Sequence, residues 1–225
     1  MSAESEKTKT PRAYFAGYAP AELSALISSL GVIPAPLGPF GGADEATGAH
    51  ADMQMCRLGN APDSPLVRAK KPLPTDYPAC AAYNALAAGG LFIHRLDCTA
   101  PELLAAAEKL SLRLVNVRQG YAKCAAAVVS DTAVITADRG IARALKGSAE
   151  VLLISPGHVV LPGYEYGFIG GACGTVGGKL VFCGDLSSHP DAGAIRRFAE
   201  ENGREVLDIE GFPLTDVGSI IESVY

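Results

Sequence analysis

Residues 124–154 read CAAAVVSDTAVITADRGIARALKGSAEVLLI, and the order of elements in this stretch decides the fold. An apolar run over Cys124–Val129 meets a turn at Ser130-Asp131-Thr132. A second run, Ala133–Ala137, closes at Asp138. Ile141–Leu145 has helical spacing and Glu150–Ile154 reads as a strand. The order strand, hairpin, strand, helix, strand then recurs. Phe168–Val176 leads to a turn at Gly177-Gly178, Leu180–Cys183 ends at Asp185, His189–Glu201 is helical and Glu205–Ile209 is extended.

Working outward, the same chemistry marks the helix entrances. Asp97, Asp138 and Asp185 each follow a strand and precede a helix, where a short carboxylate can accept bonds from unpaired backbone N–H groups. Pro20, Pro101 and Pro190 sit near helix starts, where a missing N–H costs little. An earlier unit spans Ala51–Val117, with strands at Asp52–Leu58 and Leu91–Leu96, a helix at Pro101–Leu110 and a last strand at Leu112–Val117. Residues 59–90 interrupt it as an insertion with a Pro-rich stretch and an expected helix over Pro78–Ala87.

The two ends of the chain complete each other. Ala13–Gly17, Pro20–Leu30 and Val32–Leu37 give strand, helix and extended piece without a first strand. Asp216–Ile221 is a first strand with nothing after it. Three continuous units and one split unit are therefore legible. A fifth is not, and the insertion is where one would hide. The expectation is an N-terminal tail over 1–11 and one α/β domain over 12–225. Its repeated units would form a propeller closed by the terminal strands, which leaves no bare sheet edge.

The chain has 225 residues, 19 Lys+Arg against 24 Asp+Glu, and 48% apolar residues. This balance excludes chain-wide disorder and, without a basic run, argues against a nucleic-acid partner. The most apolar window, Ala79–Ile93, is broken by Gly89-Gly90 and is too short to span a bilayer, so no membrane partner is expected. No apolar leader opens the chain, and the expected setting is the cytoplasm, with free thiols. Six Cys form no CxxC and no zinc-finger spacing, so no metal is expected. No cofactor is expected either. Gly170–Lys179 lacks GxGxxG, Leu180 follows Gly178-Lys179 where a P-loop needs Ser or Thr, and no GxSxG occurs.

Strand-strand-helix-strand units in a closed ring resemble the pentein, or guanidine-modifying-enzyme, fold. Five stretches also look like one branch of it, the DUF6873 family: Tyr77-Pro78 with Ala82-Tyr83-Asn84-Ala85; Gly120-Tyr121-Ala122-Lys123-Cys124; Gly167-Phe168-Ile169-Gly170-Gly171; Gly184-Asp185-Leu186 with His189-Pro190-Asp191; and Leu214-Thr215-Asp216-Val217-Gly218-Ser219-Ile220. The resemblance implies a Cys nucleophile, a His general acid/base and carboxylates that hold a guanidinium through paired charge-assisted bonds.

His50-Ala51-Asp52 resembles that group's His-x-Asp element, and spacing of two on a strand would put both side chains on one face. Asp216 occupies the matching position in the split unit. Two thiols compete as the nucleophile, with a slight preference for Cys173. Cys173 follows Gly170-Gly171, whose bare backbone lets a ligand come close. Cys124 falls opposite Asp52 and Asp216 when counted back from the hairpins, with Lys123 beside it to lower a thiol pKa. Two functions follow. One is a metal-free Cys hydrolase or deiminase of a guanidine or amidine. The other is a non-catalytic module that binds a small cationic molecule.

Overall fold

The computed structural model describes residues 10–40 and 47–225, so residues 1–9 of the expected tail lie outside the described residues. The first elements are β1 (Arg12–Ala16), α1 (Ala21–Ser29) and β2 (Ile33–Leu37), with β2 parallel to β1. A short helix, α2 (Ala51–Gln54), leads into β3 (Met55–Arg57), which pairs antiparallel with β4 (Leu66–Arg68). A third sheet holds β5 (Leu86–Ala88), β6 (Leu91–His94) and, after α3 (Pro101–Lys109), β7 (Arg113–Asn116). The fourth follows α4 (Ala122–Ala125) and comprises β8 (Ala126–Ser130), β9 (Ala133–Thr136) and, after α5 (Arg139–Leu145), β10 (Glu150–Leu153). The fifth has β11 (Cys173–Val176), β12 (Lys179–Phe182) and, after α6 (Ala192–Glu201), β13 (Val206–Leu207). The last strand, β14 (Ile221–Ser223), pairs antiparallel with β1, so both ends of the chain share a sheet.

The result is a mixed α/β fold of five small sheets among the described residues. Each long helix covers its own sheet with an apolar stripe. Leu23 and Ile27 of α1 pack with Phe15, and Leu103 and Ala107 of α3 with Phe92. Ile141 and Leu145 of α5 pack with Val134, and Ile195 and Ala199 of α6 with Leu180 and Phe182. The Asp138 carboxylate caps α5 through the N–H groups of Gly140 and Ile141, and Asp185 accepts from Ser187 N–H. Asp97 instead pairs with the Arg95 guanidinium at 2.8 Å.

Three expectations are corrected. The stretch 59–90 is not an insertion between two strands of one unit. β3 pairs with β4, β6 pairs with β5, and the unit read over Ala51–Val117 is two units. The expected helix over Pro78–Ala87 is a single 3₁₀ turn at Ala79–Ala81, after which the chain extends into β5. The cause is the turn: Gly89 and Gly90 both have positive φ, which suits a two-residue hairpin and draws the apolar run before it into a strand. The expected first strands also begin late. Asp52 and Cys124 lie in one-turn helices before β3 and β8, and Asp216 lies in a loop before β14.

Hydrogen bonds join neighbouring sheets. Ile220 N–H donates to Cys173 O at 3.0 Å, next to β14 and β11. Thr175 Oγ1 of β11 reaches Val128 O of β8 at 3.5 Å. Cys56 Sγ of β3 donates to Ala85 O before β5 at 3.3 Å, and the Arg57 guanidinium donates to the carbonyl of Glu222 in β14. No helix among the described residues is long and apolar enough to cross a membrane.

Candidate active site

The segments that lead into the first strands meet and lock one another. Asn84 Oδ1, just before β5, accepts Lys123 N–H at 2.9 Å and Cys124 N–H at 3.0 Å and so caps the turn of α4. Cys124 O accepts Gly171 N–H at 2.9 Å, and Gly171 O accepts the N–H groups of Val217 and Ser219. Asp52 N–H donates to Gly218 O at 3.0 Å. Two glycines permit this crowding. A Cβ on Gly171 would sit 2.1 Å from Asp216 Oδ1, and one on Gly218 would sit 2.2 Å from His50 Cβ, with φ there at +69°. Gly170 serves the same junction through its carbonyl, which accepts Ser219 Oγ at 2.9 Å.

Four ionisable side chains and the Ser219 hydroxyl converge on this junction. Cys124 Sγ donates to Asp52 Oδ2 at 2.8 Å, and Ser219 Oγ lies 2.6 Å from the same oxygen. His50 Nδ1 lies 3.9 Å from Asp216 Oδ1. Ligating atoms of His50, Asp52 and Cys124 all fall within 4.8 Å of one another. His50 and Asp52 are not on a strand, as their spacing suggested. His50 stands just before α2 and Asp52 lies inside it, yet both still reach one place. Asp216 is held by Phe168 N–H on Oδ2 and Gly218 N–H on Oδ1, each at 2.9 Å. Asp52 Oδ1, fully buried, has no donor among the described residues.

The hydrogens of the His50 edge follow from their partners. Tyr18 Oη lies 2.8 Å from Asp216 O and 2.6 Å from His50 Nε2. A carbonyl only accepts, so the single Tyr18 proton goes to Asp216 O and His50 Nε2–H donates to Tyr18. That leaves Nδ1, on the Asp216 side, as the proton-accepting nitrogen of neutral His50.

Burial dominates the acid–base behaviour. It raises Asp52 despite the His50 imidazole, and it raises Asp216 to about 6 despite the two N–H groups on its carboxylate. Burial, and next the Asp52 and Asp216 carboxylates, push the Cys124 thiol well above its usual range. Two buried carboxylates beside a neutral thiol form a site that a cation would balance.

His50, Cys124 and Asp216 open onto a pocket of about 280 Å³. Tyr121, Phe168, Tyr164, Tyr166 and Glu165 line it further out, and no Lys or Arg among the described residues does. Cys173 is elsewhere. It shares a second, enclosed cavity of about 30 Å³ with Lys123, Arg57 and Cys56, and burial raises its thiol to about 12. Lys123 Nζ faces Ser219 Oγ at 3.2 Å and Gly170 O at 3.5 Å. Of the residues expected at the site, His50, Asp52, Cys124 and Asp216 are brought together. Gly170, Gly171 and Lys123 stand behind them, and Cys173 is separated.

Sequence reasoning passed over Asn84, Ser219 and Tyr18. Asn84 and Ser219 lie inside stretches that carry the family resemblance, and their polar side chains within apolar surroundings were the available signal. Tyr18 follows β1 with no pattern around it. His50, Asp52 and Cys124 are also of metal-ligating type. Both His50 nitrogens and the thiol already face protein partners, so as they stand the three form a hydrogen-bonded network. No curated protein and no solved structure matches the chain. A family model matches residues 19–221, most of the chain and all four converging side chains, and the chain therefore belongs to the family of unknown function DUF6873.

Proposed function

We propose that this pocket is the active site of a Cys-dependent hydrolase of guanidine or amidine compounds, on a pentein-like propeller of five units. The bonds that join each small sheet to its neighbours, and β14 to β1, support the ring. The observation that carries the reaction is the convergence of His50, Cys124 and Asp216, from segments that lead into three separate sheets, on one acidic pocket, with Asp52 buried against Cys124.

A planar guanidinium fits the site's needs. Asp216 holds the cation by charge-assisted bonds at the pocket, and the buried Asp52 adds its negative charge next to Cys124. The cation's charge offsets both carboxylates and lowers the Cys124 thiol, whose proton passes to His50 Nδ1. The Cys124 thiolate attacks the central carbon and forms a C–S bond. The C–N bond breaks, and the departing amine takes the proton from His50. Water then attacks the same carbon, gives a proton to His50 and expels the thiolate, so one C–N bond of the substrate is hydrolysed overall. Cys124 takes the role of nucleophile here, not Cys173, because Cys124 shares the pocket with His50.

The test is amine release from a panel of guanidines and amidines. Wild type is expected to turn over at least one member, Cys124→Ala to lose at least about 10³-fold in kcat, and Cys173→Ala to stay within about threefold. Turnover retained in Cys124→Ala removes the nucleophile. Saturable binding without turnover in wild type favours the second reading, a module that binds a small cation.

A further inference from the structure

The outer pocket specifies more than its acidic floor. The floor side chains are buried, with His50 2%, Cys124 4% and Asp216 1% exposed. The outer residues are open, with Tyr164 52% and Tyr166 43% exposed and Glu165 exposed between them. Tyr121 and Phe168 are half-buried, with ring centroids 6.5 Å apart, and form the wall between floor and rim. Aromatic faces attract cations and apolar chains, and a carboxylate at the rim adds to the attraction for a positive group. An anionic group in the same space would meet Asp216, Glu165 and the negative faces of four rings. It would also find no Lys or Arg among the described lining residues to receive it. Lys123 cannot serve, because its ammonium is directed to Gly170 O and Ser219 Oγ behind the floor.

Resting on the reading of the floor as a guanidinium site, we infer that the substrate is a two-ended cation. Its guanidinium or amidinium lies at His50, Cys124 and Asp216, a short apolar spacer runs past Tyr121 and Phe168, and a second ammonium sits at Tyr164, Glu165 and Tyr166. It carries no carboxylate or phosphate. A free α-amino acid is therefore excluded as substrate, and the reaction that supplies this compound must deliver a decarboxylated or purely basic guanidine.

Calorimetric titration of the full chain carrying Cys124→Ser, which holds turnover off, compares guanidines on one four-carbon spacer ending in an amine, a methyl or a carboxylate. The amine-ended compound is expected to bind several-fold more tightly than the methyl-ended one and at least about tenfold more tightly than the carboxylate-ended one. Glu165→Gln is expected to narrow the ratio between amine and methyl tails. Equal affinity for amine and methyl tails overturns the second cationic group. Preference for the carboxylate tail overturns the whole inference but leaves the guanidine site standing. Binding of none of the three overturns the guanidine site and this inference with it.

Discussion

Two cavities meet the turn of α4, and adjacent residues of that one turn line different ones. Cys124 belongs to the open pocket of about 280 Å³ with His50 and Asp216, while Lys123 belongs to the enclosed one of about 30 Å³ with Arg57, Cys56 and Cys173. The first holds carboxylates and an imidazole; the second holds the cations. Both contain thiols raised by burial, so burial alone does not distinguish them. What distinguishes them is the neighbour that can change the thiol. Cys124 has Asp52 at 2.8 Å, His50 close by and space for a cationic ligand. Cys173 has the pull of Lys123, but no adjoining space in which a substrate fits. The difference teaches that a thiol becomes a candidate nucleophile through the volume and charge it can recruit, not through its resting pKa.

The strongest way to break this contrast is to remove the wall both cavities share. Residues 216–225 supply Asp216 to one, Ile220 and Ile221 to the other, and β14 to the first sheet. Deleting them is expected to lower Tm by at least about 10 °C, since a buried strand and its edge pairing are lost. A truncated chain that melts with wild type would show that β14 does not hold the fold together.

A second prediction separates binding from stability by pH. The ordinary carboxyl value of 3.8 for Asp216 rises to about 6 in the folded chain. Between those values the folded chain keeps a proton that the unfolded chain has released. Stability from this group is therefore full below pH ~4 and falls as pH rises through ~6, by up to about 3 kcal/mol. Binding of a guanidinium runs the other way, because it needs the ionised carboxylate. Thermal melts from pH 5 to pH 7.5 are expected to fall without ligand, and the shift produced by a guanidine is expected to grow over the same range. A ligand shift that shrinks with rising pH would remove Asp216 from the cation site.

The smallest effect sharpens the contrast. Lys123→Met removes the cation that pulls Cys173 down. It is expected to make Cys173 still less reactive toward a neutral alkylating agent in partly denaturing conditions, and to change guanidine affinity in the open pocket by no more than about threefold. A tenfold loss of affinity would mean that the two cavities act as one electrostatic site.

How far the sequence led follows from the same geometry. The units of α5 and α6 were readable because Ser130-Asp131-Thr132 and Gly177-Gly178 turns mark their hairpins and Asp138 and Asp185 mark the elements that follow. The unit of β3 and β4 was not, because each strand has three residues and no helix follows to set a period. The alanine-rich stretch Pro78–Ala87 resembles a helix, but pairing of its end with β6 overrides that propensity. At the site, His50, Asp52 and Asp216 were visible from motif and register, and the same register put Cys124 opposite the two carboxylates. The preference for Cys173 rested on flexible glycines before it. Those glycines instead let Asp216 and α4 approach closely. Asn84, Ser219 and Tyr18 act through bonds across 32 to 198 positions in the chain, a separation that no local pattern encodes.

The central claim is that Cys124 is the nucleophile of an acidic, cation-binding pocket. Labelling with matched electrophiles of near-equal size tests it most directly: a haloacetamidine, which is cationic, against the neutral haloacetamide, with each Cys mapped by peptide mass spectrometry at neutral pH. The account predicts that the cationic reagent modifies Cys124 at least about tenfold faster than the neutral one. It also predicts that Asp52→Asn or a guanidine ligand suppresses that advantage, and that Cys173 stays unmodified in the folded chain. Modification of Cys173 ahead of Cys124, or equal rates for both reagents at Cys124, would contradict it.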